Sequence, residues 1–156
     1  MSQHETKDAI SGALSEEQRR TWQELWVEIQ GLPWTSLAVV PAVPGLSAEG
    51  VAREVARVGG EYHGREIELV DARGLAFSGA RELVERVSSA AGRHALVAVL
   101  DCPLDSQAAL LVARAASSAL LVVPVGQARL ADARRTIESV GAANFIGAVT
   151  LVAPES

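Results

Sequence analysis

Cysteine, lysine and aromatic residues are all scarce in this chain, and each scarcity removes a class of function. A single cysteine, Cys102, excludes an intramolecular disulfide. Neither it nor the three histidines, His4, His63 and His94, has the spacing of a metal site, so no metal is expected. No segment approaches the roughly 18–20 uninterrupted apolar residues that a membrane-spanning helix needs. The stretch from Met1 to Asp8 lacks the basic and apolar regions of a secretory signal. A cytoplasmic location without direct membrane insertion is therefore expected. Aromatic residues make up only 4% of the chain, so its core must be built from Ala, Val and Leu. Lys7 is the one lysine among 14 basic residues, set against 19 acidic ones for a net charge of −5. The resulting pI near 5.2 speaks against nucleic acid or an anionic membrane surface as a partner, since both are held by clustered positive charge.

What is present is the composition of an ordinary globular domain, 49% hydrophobic and 21% charged over 156 residues, enough for one core. Residues 1–13 are polar and unpatterned and read as a flexible tail, leaving 14–156 as a single α/β domain. Ser15-Glu16-Glu17-Gln18 forms a capping box that starts a helix over about 15–30, ended by Gly31-Leu32-Pro33. Its apolar residues, Trp22, Leu25, Trp26 and Ile29, share one face. Two readings of that stripe stand: it docks the helix on its own sheet, or it is an interface for a protein partner or a homo-oligomer.

From residue 36 to 152, short apolar runs alternate with helical patterns. Strands are expected near 37–41, 66–71, 95–101, 119–124 and 146–152, with helices near 48–58, 78–90, 105–116 and 128–140. Ser47, Ser78 and Asp105 stand where N-caps are wanted; Gly59-Gly60, Gly92 and Gly141 stand where left-handed C-caps are wanted. Alternating βα units with right-handed crossovers give a three-layer α/β/α sandwich on a mainly parallel sheet of about five strands.

In such a sheet, ligands bind beyond the carboxyl ends of the strands. The first strand, Ser36 to Val40, runs into the loop Pro41 to Gly50 and then into a helix, the layout of a phosphate-binding loop. That loop needs a lysine on the β- and γ-phosphates and a hydroxyl on magnesium, but the positions concerned hold Ala48 and Glu49. Gly45 and the amides after it offer an anion site at a helix N-terminus, one that the charge of Glu49 disfavours. The other strand tips carry Asp71, Asp101-Cys102-Pro103 and Val125-Gly126-Gln127. Gly45-Leu46-Ser47-Ala48 superficially matches a hydrolase elbow, but His63 and His94 precede their strands and so belong to the opposite edge. Cys102, beside the carboxylate of Asp101, lacks the adjacent cation that activates a thiol. A receiver-like regulatory domain is ranked last, because it needs a lysine on a late strand.

Three motifs in order resemble the deviant Walker-A ATPases of the MinD/ParA type, and most closely the bacterial tyrosine kinases and kinase-like proteins of capsule and exopolysaccharide assembly. Pro44-Gly45-Leu46-Ser47-Ala48-Glu49-Gly50 resembles their nucleotide loop P-G-E-G-K-S-T. Ile67 to Arg73 resembles the strand closing in D-x-D, keeping Asp71 and replacing the second carboxylate by Arg73. Leu96 to Pro103 resembles the strand ending in D-T-P-P, with Asp101 as its carboxylate, and Asp105 to Gly126 continues the likeness. In that family the helix before the first strand carries E-x-x-R-x-x-R for ring assembly; Glu16-x-x-Arg19 or Glu17-x-x-Arg20 matches its first half only. The tyrosine-rich tail of the kinases is also missing, Tyr62 being the one tyrosine.

The resemblance implies a P-loop NTPase-like fold with a degenerate, vestigial loop (Pro44, Gly45, Ser47, Ala48, Glu49), vestigial Walker carboxylates (Asp71, Asp101), no catalytic residue and no cofactor. It implies a pseudokinase acting as an interaction module in surface-polysaccharide synthesis or export, held at the inner membrane through a co-polymerase or a kinase. The alternative is a nucleotide- or phosphate-binding switch, or weak NTPase, that retains Asp71 and Asp101.

Overall fold

A computed structural model of the chain describes residues 15–31, 34–64, 66–90, 95–126 and 130–152. Helix α1, Glu16–Gln30, is followed by strand β1, Ser36–Pro41, and helix α2, Glu49–His63. Then come β2, Glu68–Asp71; α3, Ala80–Ser89; β3, Leu96–Val99; α4, Gln107–Ala115; β4, Ser118–Val125; α5, Leu130–Val140; and β5, Phe145–Val152. The five strands form one sheet in the order β2-β3-β1-β4-β5, and every pairing is parallel. The expected α/β/α sandwich is present.

Because side chains alternate along a strand, each central strand feeds both cores. Leu37 and Val39 of β1, Val97 and Val99 of β3, and Leu120 and Val122 of β4 pack with Trp26, Ile29, Val51 and Val55 of α1 and α2. Ala38 and Val40, Ala98, and Ala119 and Leu121 pack with Leu83, Val87, Ala109, Val112, Ala133 and Val140 of α3, α4 and α5. Every residue of β1 is buried, which explains its unbroken apolar run.

The boundaries correct several expectations. The capping box holds: Ser15 Oγ accepts from Gln18 N at 3.1 Å and Gln18 Oε1 accepts from Ser15 N at 3.0 Å. Helix α2, however, runs through Gly59-Gly60 to His63 and is closed by Gly64 at φ 68°. Gly59 answers to packing, since a Cβ on it would lie 2.3 Å from Ile67 Cδ1 and 2.6 Å from Trp26 Cη2. Ala48, not Ser47, is the residue before α2, and the Ser47 hydroxyl accepts from Glu49 N at 3.3 Å. Ser78 lies inside a 3-10 turn, Phe77–Gly79, that leads into α3. Ser106, rather than Asp105, caps α4, its hydroxyl accepting from Ala109 N at 3.1 Å. Gly141 follows α5 as expected, with φ 109° and ψ 117°, a conformation outside the left-handed helical region. The tail 1–13, Gly92, His94 and Gln127 lie outside the described residues.

The stripe on α1 is divided. Trp26 and Ile29 are buried in the core shared with α2, while Trp22 and Leu25 are half-buried against the same cluster. Trp26 also meets Trp34 and His63 edge-on, at centroid distances of 5.9 and 5.7 Å. As a correction to the interface reading, Trp26 and Ile29 belong to the domain's own core. Among the described residues, no helix is long and apolar enough to cross a membrane.

Candidate functional site

The loop after β1 is fixed from below by two buried hydrogen bonds. Ala42 N donates to Val122 O of β4 at 2.8 Å, and the fully buried Thr136 hydroxyl of α5 donates to Ala42 O at 2.8 Å. The chain then passes through exposed Pro44 and Gly45, the latter at φ 84°, where a side chain would be strained. Ala48 closes the loop, fully enclosed among the apolar residues of the α1 and α2 face. At the position expected from the motif resemblance to hold a lysine, a methyl group fills a place in the core. Glu49, in the first turn of α2, is half-buried and ion-paired with Arg53 one turn later. Its charge satisfies the helix N-terminus at the point where an anion would otherwise bind.

Parallel strands deliver Asp71 and Asp101 to the same edge of the sheet, and the loop after β2 lies between them. The Arg73 guanidinium grips Asp71 as a fork, Nε–H to Oδ1 at 2.8 Å and Nη2–H to Oδ2 at 2.6 Å. The Asp71 Oδ1 also accepts from Arg73 N at 3.2 Å. Those bonds hold the Asp71 carboxyl below its usual pKa, and the same contacts raise that of Arg73. The third nitrogen of the fork, Nη1, donates to Ser47 Oγ at 3.4 Å, so Arg73 spans from β2 to the loop after β1. Asp101 Oδ2 accepts from Gly74 N at 2.7 Å. Asp71 thus has donors on both oxygens, and Asp101 has one on Oδ2.

Between these groups lies a cleft of about 450 Å³ lined by Gly45, Leu46, Ser47, Arg73, Asp101, Cys102, Asp105 and Ser106. Among the described residues, its one lining cation, Arg73, is already paired with Asp71, and two further carboxylates, Asp101 and Asp105, border it. The described lining thus offers a triphosphate more negative than positive charge. Among the described residues, no group of three or more His, Cys, Asp and Glu is gathered as for a metal ion.

Cys102 is buried, its Sγ 3.7 Å from Thr136 Oγ1, and burial raises the thiol above its usual range, with Asp105 and Asp132 adding to the effect. His63 lies against Trp26 at the end of α2, where the chain enters β2 by its amino end, so no histidine at that position serves Ser47.

The structure therefore brings together Gly45, Ser47, Arg73 and Asp101, with Asp71 held to Arg73, and leaves Trp22, Leu25, Trp26 and Ile29 in a separate core cluster. Arg73 is the residue whose role the sequence reading missed. From sequence it reads only as a lost carboxylate, whereas the turn that follows Asp71 brings both the backbone N–H and the guanidinium of Arg73 onto that carboxylate.

No family model and no curated protein matches the chain. Among solved structures it is similar to one described as the BceF tyrosine kinase domain, with a TM-score of 0.53 and 16% identity, covering 88% of this chain and 75% of that one. At that identity the likeness is one of fold: the chain shares an α/β architecture with that kinase domain, here built on a five-stranded parallel sheet.

Proposed function

We propose that this chain is a catalytically inactive, kinase-like module whose degenerate Walker-A loop has become structural. The observation that supports this best is the Arg73 fork. A side chain standing where the D-x-D strand of the MinD/ParA-type ATPases places its second carboxylate neutralises the first one and leans on the loop hydroxyl of Ser47. Enclosed Ala48 and paired Glu49 agree with it, because phosphoryl transfer rests almost wholly on positioned cations and metal ligands. The proposed role is protein binding in bacterial surface-polysaccharide synthesis or export, in the cytoplasm at the inner membrane. The partner is the cytosolic end of a co-polymerase or an active kinase. That part of the reading rests on the motif resemblance, for which the kinase-like fold is support.

Isothermal calorimetry with ATP, ADP and Mg²⁺ tests the inactive loop, with no saturable heat as the expected result. Co-purification with the cytosolic segment of a co-polymerase tests the partner.

A second reading is favoured by Arg73 itself. The chain does place a cation in the cleft, 3.4 Å from Ser47 Oγ, so a switch that releases Asp71 and takes a single phosphate group has the elements it needs. Saturable binding of ATP or inorganic phosphate that disappears in Arg73→Gln would establish that reading in place of the first.

A further inference from the structure

The two edges of the sheet are treated differently. At one edge, β2 is four residues long, carries Glu68 and Asp71, and has both tied into ion pairs with Arg86 and Arg73. Short length and charge are the usual devices that keep an edge from pairing with another chain. At the other edge, β5 runs for eight residues, Phe-Ile-Gly-Ala-Val-Thr-Leu-Val, with no charge and no proline. Its register against β4 is regular from Gly147 to Val152, and the one irregularity lies at the beginning, by Ala119 and Leu120. Among the described residues, β5 is paired on one side only, leaving alternate backbone N–H and C=O groups directed outward. Ala148, Thr150 and Val152 beside them are exposed.

Helix α5 leads into β5 and shows what covers that edge. Ala133, Thr136 and Val140 mark its side toward the sheet, since all three are buried. Arg114 of α4 donates Nε–H to Ser139 O at 2.8 Å and so marks the flank toward α4. At about 100° per residue, Leu130 and Arg134 fall on the remaining flank, away from α4 and beside the β5 edge, with Glu138 at its solvent-facing margin. Leu130 is 74% exposed.

We propose that β5 and this flank of α5 form the contact between two copies of the chain, β5 pairing antiparallel with its own equivalent across a two-fold axis to give one continuous sheet. The charges select this occupant. A two-fold contact sets residue i opposite j and j opposite i, and two antiparallel α5 helices sharing an axis level with Thr136 place Arg134 of each copy opposite Glu138 of the other. The strand offers no charge to oppose itself. This contact lies apart from the cleft and does not depend on whether the loop binds nucleotide.

Light scattering on the full chain over a concentration series tests it, with amide hydrogen exchange to locate the contact. A reversible dimer with slowed exchange across 147–152 is expected. Arg134→Glu should weaken it at least about tenfold by setting like charges face to face. Arg134→Glu with Glu138→Arg should restore it, and Thr150→Lys should weaken it as an edge lysine does. All these positions are exposed, so the variants keep the fold. A monomer at every concentration up to roughly 500 µM, beyond which association is too weak to be specific, overturns the proposal. So does a dimer indifferent to both Arg134→Glu and Thr150→Lys, or one that the double charge exchange fails to rescue.

Discussion

The ring of Trp26 rests directly on Gly59: a Cβ on that glycine would stand 2.6 Å from Cη2 and 2.7 Å from Cζ3 of the indole. Helix α1 is seated on α2 through this contact, and a glycine in mid-helix, unfavourable by propensity, is what allows it. Trp26→Ala should therefore cost about 3–5 kcal/mol in urea unfolding, as for a large aromatic removed from a core. Gly59→Ala should also destabilise, although it improves helix propensity, because the added methyl meets Ile67 and Trp26. Unchanged midpoints for both variants would show that α1 is held by something else.

Rebuilding the loop should not rebuild an ATPase. Ala48→Lys with Glu49→Ser forces a long charged side chain out of an enclosed apolar site, removes the partner of Arg53, and leaves the Arg73 fork in place. The expected outcome is a lower melting temperature and no phosphate release above background. Turnover at the level of an active kinase would mean that Arg73 does not block the site.

The Asp71 and Arg73 fork predicts a pH effect of definite sign. The Asp71 carboxyl titrates lower in the folded protein than in the unfolded chain, so the unfolded state binds the proton first as pH falls. The pair's contribution to stability is then fully present above the ordinary aspartate pKa of roughly 3.9 and is lost as pH drops below it. An NMR titration of the Asp71 carboxyl should show a midpoint below that of a model peptide. Arg73→Gln should move the midpoint upward. An unchanged midpoint in the variant would show that the fork does not persist in solution.

Cys102 should resist alkylation at neutral pH in the folded protein, since burial both hides the thiol and raises its pKa. Denaturation should make it react at the rate of a free cysteine. Rapid labelling of the native protein by iodoacetamide, followed by mass spectrometry, would contradict the burial described here.

Local chemistry made much of this protein legible in its residues alone. The buried strand Ser36 to Val40 can only be satisfied with apolar layers on both faces, and the Ser15–Gln18 capping box is closed within four residues. The strand-and-helix alternation and the placing of Asp71 and Asp101 at one sheet edge follow from the same short-range periods. That position 48 holds alanine and not lysine is likewise read from the residue itself. What depended on distant contacts could not. Gly59 looks like a helix stop until Trp26 is known to press on it, and Ser106 displaces Asp105 as a cap only through the path of the loop before α4. Arg73 looks like a lost carboxylate until folding brings Ser47, 26 positions away in sequence, within reach of its guanidinium. A strand's period is set by its own backbone, whereas the meaning of a charge or a glycine is set by whatever the fold places opposite it, and that partner is chosen only when the layers close.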